Sequence, residues 1–114
     1  MPQIAITTSK GWIADRARLL ADLREAAVRA LDSRPTAFSL WINEHDADGF
    51  VGPSDRGPRF TIIEMRMFTG RSDEMKRGLM AALGETAEKH GLPRADLDIV
   101  LLEIPAASWS LGGR

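Results

Sequence analysis

With 114 residues and 15 basic against 16 acidic side chains, net charge −1, the chain is sized for one domain and carries no basic excess that would point to nucleic acid or an anionic membrane. It has no Cys, which excludes disulfides, thiolate nucleophiles and Cys-based metal sites, and His45 and His90 are its two histidines, too far apart to show metal-ligand spacing. No run of about 18 apolar residues and no signal-peptide pattern occur, so the expectation is a soluble cytoplasmic protein, and the absence of Tyr removes phenol chemistry.

The first strand is expected at Pro2 to Thr8, where Ile4 and Ile6 alternate with Gln3, Ala5 and Thr7. Ser9-Lys10-Gly11 turns the chain into a helix from Ala14 to Leu31, with Leu20, Leu23, Ala27 and Leu31 as its apolar stripe. Asp32 to Pro35 ends it, since Pro cannot continue a helix. A second strand, Ala37 to Glu44, points Phe38, Leu40 and Ile42 one way and Ser39, Trp41 and Asn43 the other. The stretch from His45 to Pro58 is rich in Gly, Pro and Asp and reads as a long loop, the segment expected to be most mobile.

The third strand, Arg59 to Phe68, alternates Thr61, Ile63, Met65 and Met67 with Glu64, Arg66 and Phe68. Thr69-Gly70-Arg71-Ser72 leads to a helix from Asp73 to His90, with Ser72 as N-cap and Gly91 at the C-terminal left-handed position. Its stripe is Met75, Leu79, Ala82, Leu83 and Ala87. The fourth strand is Asp98 to Ile104, with Val100, Leu102 and Ile104 on one face, followed by a turn carrying Trp109. Strand–helix–strand therefore occurs twice, in halves of about 1–45 and 59–110, the second starting roughly 58 residues after the first. Each helix is long enough to cross between parallel strands, and the connection should be right-handed. The expected fold is α+β: one domain over 1–114, a four-stranded mixed sheet with both helices on one face.

Two features bear on function. Pro2 permits trimming of Met1, which would leave a secondary amine held at the start of a strand. An α-amine begins near a pKa of roughly 7.7–8.0. Burial would lower that value and poise the amine for acid–base work near neutral pH. The second feature is the sheet face away from the helices, with Gln3, Ala5, Thr7, Ser39, Trp41, Asn43, Glu64, Arg66, Leu101 and Glu103. It reads either as a face shared between subunits or as a solvated antiparallel face. Glu64 and Arg66 read as an interior ion pair, and His90 as a cation at a helix C-terminus.

Met1-Pro2 opening a strand, the duplicated unit, Phe68-Thr69-Gly70-Arg71-Ser72-Asp73-Glu74-Met75-Lys76 and the tail from Glu103 to Gly113 together resemble the tautomerase superfamily. They are most similar to its malonate semialdehyde decarboxylase-like and 4-oxalocrotonate tautomerase-like members. The resemblance implies a homotrimer with no metal or organic cofactor, acting on a small 2-oxo, enol or unsaturated carboxylate. It implies Pro2 as general acid or base, Arg71 as carboxylate anchor and Trp109 as pocket wall. Lys10 is a second, less directional cation, and Asn43 either binds substrate or lines a subunit contact. Before the second strand, Pro35-Thr36-Ala37-Phe38 lacks the acid of the decarboxylase-like members, and Thr69 stands where they have a second basic residue. Tautomerisation by Pro2 and Arg71 is thus the leading expectation. Decarboxylation or hydration of a small carboxylate is the alternative, and a non-enzymatic ferredoxin-like binding module is the alternative from another class.

Overall fold

The computed structural model describes residues 2–114. Its elements are β1 (Gln3–Ser9), α1 (Arg16–Leu31), β2 (Ser39–His45), β3 (Thr61–Phe68), α2 (Asp73–Lys89) and β4 (Leu97–Ile104). Short 3-10 turns occupy Pro35–Ala37, Arg94–Asp96 and Ala106–Ser108. Asp15 starts α1 by accepting the Arg18 N–H on its carboxylate at 3.0 Å. The helix ends at Asp32, whose backbone is left-handed at φ 49 and turns its N–H back to Arg29 and Val28. A short polar side chain tolerates that conformation, so Asp32, rather than Pro35, is the stop signal. Ser72 caps α2 by accepting the Met75 N–H at 3.1 Å, and Gly91 leaves it at φ 92.

The sheet runs β2-β1-β3-β4. β1 is parallel to β2 and antiparallel to β3, and β3 is parallel to β4. Both units are thus closed crossovers, joined back to back through β1 and β3. One core lies between the sheet and the helices, built from Ile4, Ile6, Ile63, Met65 and Met67 against Leu19, Leu23, Ala27, Leu79, Leu83 and Ala87.

Two stripes differ from the sequence expectation. In α1 it is Leu19 that is buried and Leu20 that is only partly covered. In β4 the phase is inverted: Leu97, Ile99 and Leu101 join the core while Val100 and Leu102 are exposed on the open face. Both phases of this strand are apolar, so alternation alone cannot choose. The ladder chooses, because Leu101 pairs with inward-facing Met65, and neighbours in a ladder share a face. Met75, expected in the α2 stripe, is exposed, and buried Gly84 lies where Arg94 crosses the helix.

The long connection between β2 and β3 is pinned along its length. His45 stacks on Phe50 and Phe50 on Phe60, with centroids 5.6 and 5.9 Å apart. Arg56 bonds Asp98 at 2.8 Å and lies over the Phe60 ring, and the Gly57 N–H reaches the Asp96 carboxylate at 2.8 Å. Gly52 and Gly57 leave no room for a Cβ beside Phe60 and Asp96. The expectation of a loose segment overlooked these anchors, which come from β4 and its entry turn, far away in sequence.

Candidate active site

β1 lies between β2 and β3, so its first residues are flanked on both sides. Pro2 is buried. Its carbonyl accepts the Ser39 N–H at 3.1 Å and extends the β1–β2 ladder by one step. On the other side Gln3 pairs with Arg66, and one more step of that antiparallel register sets Pro2 opposite Met67. The start of β1 thereby meets the end of β3 and the turn that follows.

That turn carries Arg71. Gly70 holds φ 113 with nothing near an added Cβ, so glycine is needed there for its backbone and not for space. The turn folds the half-buried Arg71 back toward the strand, its Nη1 donating to the Phe68 carbonyl at 3.5 Å. Ser72 follows immediately as the cap of α2. The region around Arg71 therefore combines a guanidinium with the positive end of a helix, both of which favour an anion.

Trp109 arrives at the same end of the sheet from β4. Its indole N–H donates to the Ile104 carbonyl at 3.1 Å, and its ring meets Phe68 edge-on with centroids 5.4 Å apart. Phe68, Ala106, Trp109, Leu111 and Arg114 line a cavity of about 330 Å³. Next to it, Lys76 binds Glu103 at 3.2 Å and Asp73 at 3.3 Å, tying the start of α2 to the end of β4. The hydrogen bonds that Lys76 donates to the Glu103 and Asp73 carboxylates hold its ammonium above its ordinary pKa.

Pro2, Arg71 and Trp109 thus converge at one end of the sheet, with Phe68 between the last two. Lys10 and Asn43 do not join them within the chain. Lys10 leaves the opposite end of β1, eight residues and roughly 26 Å from Pro2 at strand rise. There it pairs with Asp46 at 3.0 Å. Asn43 sits opposite Thr7, also toward that far end, and is exposed. Arg66 forms no ion pair with Glu64 among the described residues; it lies over the Trp41 ring at 5.9 Å. His90 does close α2, and it also bridges the helices by bonding Asp22 at 2.7 Å. Phe68 and Arg114 were not singled out from sequence. The signal for Arg114 was the Gly112-Gly113 pair, which is a turn sequence. Among the described residues no cluster of His, Cys, Asp or Glu could hold a metal ion, and no helix is long and apolar enough to cross a membrane.

Residues 38–112 match the model of a protein family described as tautomerase enzymes. Among solved structures the chain is similar to native fused 4-OT, at 27% identity, covering 98% of this chain and 94% of that one, with TM-score 0.84. It is similar in fold to Pt0534 inactivated by 2-oxo-3-pentynoate, at 20% identity, 97% and 92% coverage and TM-score 0.88. It is also similar in fold to the FG41 malonate semialdehyde decarboxylase inhibited by 3-bromopropiolate, at 22% identity, 96% and 88% coverage and TM-score 0.85.

Proposed function

The chain belongs to the tautomerase family of enzymes, and on that premise we propose that it interconverts the enol and keto forms of a small 2-oxo acid, using the Pro2 amine as acid and base. In this reading Met1, which lies outside the described residues, is removed and the ring nitrogen becomes a free secondary amine. The neutral amine takes the proton of the enol hydroxyl. The C–O bond gains its second bond as the C=C pair moves toward carbon, and the ammonium returns the proton to that carbon. Nothing is consumed, which suits a site built from one amine and one anchor. Arg71 holds the substrate carboxylate through parallel hydrogen bonds and keeps its charge throughout.

One observation carries this reading: Pro2 is buried at the head of β1, an inner strand, beside the β3 end from which the Arg71 turn departs. Burial disfavours the charged amine, and the flanking strands fix its position before substrate arrives. Decarboxylation of a related acid could use the same two groups. It is the weaker reading because residues 35–38 hold no acid, and Glu103 is engaged by Lys76.

The test is ketonisation of phenylenolpyruvate. Wild type should turn it over and Pro2→Ala should lose roughly 10²–10⁴-fold in kcat/KM, the usual worth of a placed acid–base group. Equal rates would reject Pro2 as the catalyst. A homotrimer is part of the proposal: a fused 4-OT of the same fold, 20% identical with TM-score 0.85, is described as a symmetric trimer.

A further inference from the structure

We propose that Arg114 is a second anion-binding side chain of this site and selects substrates with an anionic group beyond the one Arg71 holds. The inference rests on the site reading above and is carried by the last four residues. Leu111 and Arg114 exchange both backbone hydrogen bonds, each N–H reaching the other's main-chain oxygen at 3.3 Å. Between them Gly112 and Gly113 hold φ 64 and φ 84. Two consecutive left-handed residues inside a reciprocal pair make a type I′ hairpin, which needs glycine-like residues at both centres. An added Cβ at either glycine would meet nothing within 4 Å, so both serve the turn alone.

The hairpin has a consequence for position. It folds the end of the chain back so that Leu111 and Arg114 border the cavity under Phe68 and Trp109. Arg114 is the one charged residue among those lining it. Phe68 is shared: it borders this cavity, and its carbonyl accepts from Arg71. Arg71 and the cavity that Arg114 lines therefore meet at Phe68. Neither arginine has a carboxylate partner within ion-pair distance among the described residues. A cavity with aromatic walls and a guanidinium at its border suits the far end of a small substrate whose first carboxylate sits at Arg71.

The experiment uses unreactive acids, so it does not depend on turnover. Titration calorimetry compares succinate, with two carboxylates, and propionate, with one, on wild type, Arg114→Ala and Arg114→Lys. Wild type should prefer succinate, and Arg114→Ala should weaken succinate about tenfold more than propionate, the scale of one charge-assisted contact. Arg114→Lys should keep part of the preference. A Gly112→Ala, Gly113→Ala double variant, which keeps Arg114 but breaks the turn, should lose it as Arg114→Ala does. Equal succinate affinity in wild type and Arg114→Ala, or no preference in wild type, overturns the proposal. Full activity in Pro2→Ala would instead overturn the tautomerase mechanism and leave these isotherms to judge Arg114 separately.

Discussion

The anchor role proposed for Arg71 depends on the residue before it. Gly70 takes a backbone conformation that side chains rarely adopt, and this turns Arg71 back to the Phe68 carbonyl instead of out along the helix axis. Removing the guanidinium should weaken binding and leave the amine untouched. For Arg71→Ala we expect KM to rise roughly tenfold or more with kcat held within a few-fold, measured on phenylenolpyruvate. An unchanged kcat/KM would remove Arg71 from the site. At this scale much was legible. Pro2, Arg71 and Trp109 stand just outside strand ends, where a sheet gathers its functional side chains, and the spacing of the strands was readable. Within one chain, the same counting sets Lys10 a strand's length from Pro2. Arg114 was missed because Gly112-Gly113 reads as a trailing end until its positive φ values and reciprocal hydrogen bonds are seen.

The elements meet through polar links as well as through the core. α1 and α2 are joined at one end by Asp22 and His90, 2.7 Å apart. The hydrogen bond from His90, with Arg18 adding positive charge, holds the Asp22 carboxyl below its ordinary 3.8 despite an opposing effect of burial. A carboxylate depressed in the fold contributes stability that is present above 3.8 and lost as pH falls through its lowered folded value. Asp22→Asn should therefore lower the melting temperature near neutral pH, and the gap to wild type should close as pH drops below that range. A gap that persists in strong acid would contradict the linkage. Sequence periodicity located both helices but could not show this pair, which is distant along the chain. Nor could it settle the phase of β4, because both faces of that strand are apolar and only the ladder with β3 decides between them.

Across the whole molecule the two crossovers are nearly repeats, yet the two ends of the sheet differ. Gly11 after β1 and Gly70 after β3 hold matching conformations, φ 111 and φ 113. Trp12 follows the first where Arg71 follows the second, and Phe60 precedes β3 where Pro2 precedes β1. A free proline amine can exist before β1 but not at mid-chain Phe60. That second end is instead filled by stacked His45, Phe50 and Phe60. The fold also leaves one sheet face without helices, where Val100 is 44% and Leu102 36% exposed beside Arg66 and Trp41. Apolar exposure on a structured face fits subunit contact, so native mass spectrometry should show three chains and Leu102→Glu should shift the assembly toward monomer. A wild-type monomer would count against the trimer. The most direct test of the central claim is covalent trapping with 2-oxo-3-pentynoate, a conjugated alkyne open to amine addition, followed by peptide mass mapping. The account predicts loss of Met1 and one adduct on the Pro2 peptide, with activity falling in step; a retained Met1, or inactivation with the label elsewhere, would contradict it.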